Sequence, residues 1–135
     1  IYIRENKKEK SMDGLIIKHK WLDLILKGKK TIEVRGSDTK KQGEMIYLLE
    51  SRTSKVVGTC KIAATYPISC SDWSEEREKH CVDIPYRDLK KRYPNPYAWV
   101  LEDVKPLDKE MYYKHPKGAV IWVKNVSVKA EQCLC

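Results

Sequence analysis

Three charged residues that could bind a ligand lie within one short stretch, at Lys30, Glu33 and Arg35. Glu33 and Arg35 are two positions apart, so on an extended strand they face the same side and can pair. A carboxylate paired with a guanidinium holds it in a fixed plane, which suits a base edge or a phosphate. Lys30 could supply a point charge for a phosphate or, if desolvated, act as a base or nucleophile. The alternative is a strand whose charges simply face solvent.

The residues around this stretch predict a helix followed by a strand. An apolar helical face predicts a helix over residues 21–27, and Gly28 can end it in the left-handed conformation. From residue 31 to residue 35 polar and apolar residues alternate, which predicts a strand with its charges on the side opposite its apolar residues. Lys30 would then lie at the junction of the two elements.

The remaining pattern predicts a fold made mostly of strands. Gly58, inside the longest of these strands, predicts a bulge or bend. Short strands with few crossover helices favour an α+β, mostly β fold, namely a small β-barrel with flanking helices. Apolar or alternating runs predict these strands at residues 15–17, 45–49, 55–63, 97–101 and 119–123.

Residues 71–93 differ in character, because six acidic and six basic residues lie among them. Capping residues from Ser71 onward predict one helix, and Pro85 and Pro94 bracket a second. The balance of charge predicts a neutral, solvated helical insertion. We expect His80, which lies within it, at the surface.

The composition indicates a single domain with a cationic region. We expect a flexible arm over residues 1–13, the domain over 14–126 and a tail over 127–135. The chain has 27 Lys and Arg against 19 acids, a net charge of +8, and residues 14–43 alone hold eight bases and three acids. Such an excess favours a polyanionic partner such as RNA, DNA or an acidic membrane surface.

Several functional classes are disfavoured by the same composition. No apolar run approaches the roughly 18 residues of a bilayer span, so we expect no membrane protein. The five cysteines show neither Cys-x-x-Cys pairs nor zinc-type histidine spacing, so we expect no metal and no other cofactor. No secretory signal pattern opens the chain, and we therefore expect a reducing compartment, the cytoplasm or the nucleus.

Residues 15–21 and 25–35 resemble the signature of the ASCH domain, the activating signal cointegrator homology domain, whose hallmark is G-x-K-x-x-E-x-R. Lys30, Glu33 and Arg35 occupy its three charged places. The resemblance implies a PUA-like β-barrel, a fold shared with RNA-modification and RNA-binding modules, with a cleft beside the motif. It spans roughly residues 14–123 and continues, in order, at Gly43, 97–101 and 113–118.

The motif and the charge pattern together favour nucleic-acid binding, with RNA or single-stranded nucleic acid as the partner and a nucleoside or nucleotide as an alternative ligand. Lys18 and His19 precede a helix whose free N–H groups favour an anion. Trp99 could stack a base with an exposed edge, although Trp21 and Trp99 taken alone favour the core. The candidate binding residues are Lys18, His19, Trp21, Lys30, Glu33, Arg35, Trp99, Lys114 and Lys117.

Two alternatives to nucleic-acid binding stay open: a hydrolase acting on RNA or modified nucleosides, and a protein-interaction module. Some small ASCH-related proteins are amidohydrolases on an acylated cytidine nucleoside, where the resemblance assigns catalysis to a lysine, a threonine and a glutamate. Lys30 matches that lysine, but Glu33 stands in the threonine's place, which argues against this activity. Other members resemble ribonucleases, and Lys30 with Tyr47 could support phosphodiester cleavage.

A third hypothesis is a protein-interaction module of a transcription coactivator or translation complex.

Overall fold

The computed structural model describes residues 12–129, so most of the predicted arm and tail lies outside the described residues. No helix within 12–129 is both long and apolar enough to cross a membrane. The elements of the described chain are β1 (Gly14–Ile17), α1 (His19–Leu26), β2 (Ile32–Arg35), β3 (Met45–Glu50), β4 (Lys55–Pro67), α2 (Cys70–Glu75), α3 (Arg77–His80), α4 (Tyr86–Arg92), β5 (Tyr97–Tyr112) and β6 (Trp122–Val123).

The six strands form one curled sheet in the order β2-β5-β4-β3-β1-β6. Its pairings are antiparallel except for that between β1 and β3, which is parallel. The register of the β3–β4 and β4–β5 ladders shifts beside Gly58, as predicted, and such irregularities increase local bending. The sheet curls into a half-barrel, which confirms the predicted α+β, mostly β fold.

Three apolar clusters hold the sheet and helices together. The largest packs α1, through Leu22 and Ile25, against the inner face of the sheet beside Trp99. A second lies between β1, β3 and the final segment of the described chain. In the third, Ile32 of β2 packs against Trp73 of the helical insertion. Strand β2 is therefore fixed by contacts on its apolar face, and this placement decides where its charged face lies.

The helical insertion is not a solvated appendage, and that prediction was wrong. Trp73 and Leu89 are buried against the sheet, and His80, which we expected at the surface, is 1% exposed. The His80 ring stacks on Trp73 at a centroid distance of 3.8 Å. Because the few apolar residues of this segment are scattered among twelve charges, its composition hides a face that packs. Helix α2, the first helix of the insertion, is capped by Ser69, two residues before the predicted cap at Ser71.

The strand ends differ from the predicted ones near the end of the described chain. Strand β5 continues eleven residues beyond Leu101, because pairing with β4 sustains an extended backbone through a charged sequence. Strand β6 contains only Trp122 and Val123. The residues before it, Val120 and Ile121, fit the strand pattern in sequence but are exposed outside the ladder.

Candidate nucleic-acid interface

A cleft of about 1060 Å³ lies beside the two edge strands of the curled sheet, β2 and β6. Both edges contribute to its lining, together with the start of α1 and the loop after β2. Seven lysine and arginine side chains and two acids line it, an excess of five positive charges. The bases are Lys18, Lys20, Lys30, Arg35, Lys40, Lys41 and Arg92, and the acids are Glu33 and Asp38.

Lys30 lies at the floor of this cleft and is 1% exposed. Its Nζ donates a hydrogen bond of 2.6 Å to the carbonyl of His80 and lies 3.7 Å from Glu33 Oε1. The same Nζ lies 4.7 Å from the centroid of the Trp21 ring. Burial lowers the pKa of Lys30, and the negative charge of Glu33 opposes this shift. The predicted junction lysine is thus desolvated and held by defined partners.

Glu33 and Arg35 form the rest of the floor. Arg35 donates from Nε to Glu33 Oε2 at 2.7 Å, which confirms the pairing expected from their spacing. Its Nη2 donates to the carbonyl of Ile16 at 3.1 Å, so one guanidinium joins β2 to β1 across the open side of the sheet. A guanidinium held at two points is aimed in a fixed plane. Glu33, at 5% exposed, therefore serves both cations.

Two tryptophans and two cations form a column along one wall. Arg35 Cζ lies 5.7 Å from the Trp99 centroid, and Trp99 stacks on Trp122 at 5.9 Å. Lys41 Nζ lies 5.2 Å from the Trp122 centroid and pairs with Asp13 at 2.5 Å. Trp99 is 2% exposed, so its ring belongs to the core, whereas Trp122 is only partly buried. Cations on ring faces order the side chains of this wall.

The structure brings six of the predicted residues together and leaves four apart. His19 is exposed and lies 3.7 Å from Glu50, and Tyr47 packs against the second apolar cluster instead of facing Lys30. Lys114 and Lys117 are exposed. The predicted residues that line the cleft are Lys18, Trp21, Lys30, Glu33, Arg35 and Trp99; those outside its lining are His19, Tyr47, Lys114 and Lys117.

Sequence reasoning missed the loop after β2 and several apolar side chains that line the cleft. Lys40 and Lys41 of this loop line the cleft, although only the charge count of residues 14–43 included them among the candidates for binding. Asp38 holds this loop by accepting a hydrogen bond of 2.6 Å from Thr65 on β4. No local pattern predicted that residues so distant would meet. The missed lining residues include Lys20, Lys40, Lys41, Arg92, Val82, Ile84, Val120 and Ile121.

The arrangement supports recognition of an anion that also carries apolar surface. Exposed lysines surround the entrance, a paired carboxylate and guanidinium form the floor, and aromatic side chains form one wall. Within residues 12–129, no group of three or more His, Cys, Asp or Glu could hold a metal ion. The described site therefore offers cationic, hydrogen-bonding and apolar contacts to a ligand.

Comparisons with known proteins agree with this fold. A family model for the ASCH domain matches residues 15–111. The solved structure of ASCH from Zymomonas mobilis is 22% identical, covers 74% of this chain and 72% of its own, and superposes with a TM-score of 0.61. A mutant form of that protein gives 23% identity, coverage of 72% and 73%, and a TM-score of 0.59. No curated protein sequence matches the chain.

Proposed function

Because this chain belongs to the ASCH domain family, we propose that its cationic cleft binds nucleic acid, with RNA as the partner. The observation that carries the proposal is the excess of five positive charges within one concave site. Phosphate neutralisation by lysine and arginine supplies much of the affinity of proteins for nucleic acids. A cleft that gathers these side chains concentrates that attraction on one strand segment.

The cations of the cleft divide into two kinds by burial. Lys18, Lys20 and Lys40 are exposed and can follow a flexible phosphate backbone. Lys30 and Arg35 are held by Glu33 and by backbone carbonyls, so they contribute fixed donors. Phosphate contacts position a nucleic acid, whereas fixed donors and acceptors can read base edges. We assign the first role to the exposed lysines and the second to Arg35, whose side chain is 16% exposed; Lys30, at 1% exposed, supports this floor through Glu33.

The test is RNA affinity against salt, measured by fluorescence anisotropy with a labelled oligonucleotide. Replacing Lys18 and Lys40 together by alanine should weaken binding about tenfold and flatten the salt dependence by roughly one to two units of slope. The matched control replaces Lys105 and Lys109, exposed on β5 outside the cleft, and should change affinity little. Absence of RNA binding near physiological salt, or equal loss in both double variants, would contradict the proposal.

The desolvated Lys30 favours a second candidate function, a hydrolase acting on RNA or on modified nucleosides. The lowered pKa of Lys30 increases the fraction of the side chain that is a neutral amine. A neutral amine can act as a base or a nucleophile. The wild-type protein is incubated with RNA and with acylated nucleosides, and chromatography should then detect the released product. Lys30→Arg keeps the charge but should abolish turnover. The candidate fails if the wild-type protein releases no product from either substrate.

A further inference from the structure

The exposed apolar side chains of the molecule gather at the cleft. Within residues 12–129, four large hydrophobic residues are exposed: Met45 at 39%, Ile84 at 38%, Val120 at 76% and Ile121 at 46%. All but Met45 line the cleft. We name Ile84, Val120 and Ile121 the apolar lip. Phosphate binding gives such side chains no partner, so their concentration around a cationic site calls for a ligand with apolar surface.

The backbone of the apolar lip is held in place while its side chains stay exposed. The Ile84 carbonyl accepts a hydrogen bond of 2.8 Å from Trp73 Nε1. The Ile121 carbonyl accepts one of 2.9 Å from the Ile16 amide. Ahead of Val120, the ring Nε2 of His115 lies 2.9 Å from the Ala119 carbonyl. These bonds anchor both segments of the apolar lip, so its exposure follows from the fold and is not fraying of a loop.

We propose that the apolar lip binds the face of an unpaired nucleobase, so that the cleft selects single-stranded RNA over duplex. This inference rests on the proposed function and specifies its ligand. An unpaired base offers a flat, largely apolar face next to its own phosphate, which matches an apolar lip beside exposed lysines. In an A-form duplex those faces are stacked inside, and only phosphates, ribose hydroxyls and groove edges reach a protein.

The aromatic and cationic side chains beside the apolar lip also favour an unpaired nucleobase as its ligand. The ring of Trp122, directly after the lip, is partly buried in the cleft wall and extends the apolar surface. Arg92 and Lys40, both exposed, belong to the same lining and can contact the phosphates that flank a bound base. An acidic, apolar peptide would share some of this chemistry, so it forms a separate outcome of the test.

The experiment compares one labelled ten-nucleotide RNA with the same RNA annealed to its complement, at fixed salt. The wild-type protein should prefer the single strand about tenfold or more, since each stacked base contributes on that order. Replacing Val120 and Ile121 together by serine should weaken single-strand binding about tenfold without changing the salt slope. Met45→Ser removes an exposed apolar side chain outside the cleft and should leave affinity unchanged.

The outcomes separate the two proposals. Salt-dependent RNA binding with equal affinity for both forms, or an unaffected Val120 and Ile121 double variant, would overturn the role of the apolar lip and leave the RNA cleft standing. Absence of binding to either RNA would overturn both. Binding of an acidic, apolar peptide that the lip variant loses, with no RNA binding, would replace both proposals with protein recognition. Circular dichroism verifies that each variant is folded.

Discussion

At the scale of residues, the buried Glu33 carboxylate pairs with both neighbouring cations, Lys30 and Arg35. Its two oxygens lie 3.7 Å from Lys30 Nζ and 2.7 Å from Arg35 Nε. Removing one partner of a buried ion pair leaves an uncompensated charge, which costs far more than losing an exposed pair. Glu33 therefore stabilises the folded protein, whichever ligand the cleft binds.

Replacing Glu33 by alanine should lower the free energy of unfolding by about 3–5 kcal/mol, the usual loss for a broken buried ion pair. Urea denaturation followed by tryptophan fluorescence measures it. Asp23→Ala is the matched control, since it breaks the exposed pair with Lys27 and should change stability little. Equal stability of the wild type and Glu33→Ala would show that the floor does not depend on this carboxylate.

His80 is held as a neutral imidazole by the groups around it. The Val82 amide donates to its Nδ1 at 3.0 Å, so Nε2 carries the proton and donates to the Trp73 carbonyl at 2.9 Å. Burial lowers the pKa of His80. The charges of Lys30 and Arg77 act in the same direction, while the Trp73 carbonyl and Glu76 oppose it. Protonation at Nδ1 would place a donor against the Val82 amide.

Stability should therefore fall as the medium is acidified. A histidine whose folded pKa lies below its ordinary value of 6.5 contributes stability that is present above that pH. This stability is lost as pH falls from about 6.5 through the folded pKa. Urea midpoints between pH 7.5 and 5 should show this decline in the wild type, and His80→Phe should show a shallower one. His19→Gln, which alters an exposed histidine, should keep the wild-type slope.

At the scale of elements, the helical insertion supports the cleft from behind. Helix α2 presents Trp73, whose ring and carbonyl hold His80, and the His80 carbonyl accepts from Lys30. Helix α2 begins with a capping box, in which Ser69 Oγ accepts from the Asp72 amide and Asp72 accepts from the Ser69 amide. The cap at Ser69 thus belongs to the chain of contacts that places the floor lysine.

Ser69→Ala should lower the free energy of unfolding by about 1 kcal/mol, the typical loss for a removed N-cap. Ser74→Ala, an identical change at an exposed position inside the same helix, should be neutral or slightly stabilising, because alanine favours helices. Thermal melts of both variants measure the difference. Equal melting temperatures for the two would mean that the cap adds nothing to α2.

At the scale of the whole molecule, the curled sheet gathers charges from four separate parts of the chain. Lys18 and Lys20 come from the start of α1, Arg35 from β2, Lys41 from the following loop and Arg92 from α4. The lining of the cleft thereby carries an excess of five positive charges on one face of a small domain. Binding through this face should be governed by the charges that line it, not by those elsewhere.

The salt dependence of RNA binding tests this concentration of charge. With seven lining cations and a loss of roughly 0.7 units of slope per neutralised phosphate on a single strand, the logarithmic slope should be no steeper than about −5. Anisotropy titrations from low to moderate salt measure it. A steeper slope would mean that lysines outside the cleft contribute, and the Lys105 and Lys109 double variant would then lower it.

Much of the fold was accessible from local pattern. The period of apolar residues placed β1, α1, β2, β3 and the start of β4 and β5 close to their observed bounds, because the apolar positions of these elements pack in the core. The pattern failed where pairing with a distant segment decides the backbone. Strand β5 extends through charged residues because β4 lies beside it, and Val120 and Ile121 stay outside β6 despite their strand propensity.

The sequence by itself determined that Glu33 and Arg35, two positions apart, share one face of a strand, and that Lys30 lies at the helix-to-strand junction after Gly28. Only the tertiary structure decided that the site is buried. Strand β2 is covered on both faces, with Ile32 against the insertion and Glu33 in the cleft. It also decided that His80 is interior and that Ile84 and Val120 share one cleft. Burial follows from contacts between distant segments, and no local period encodes them.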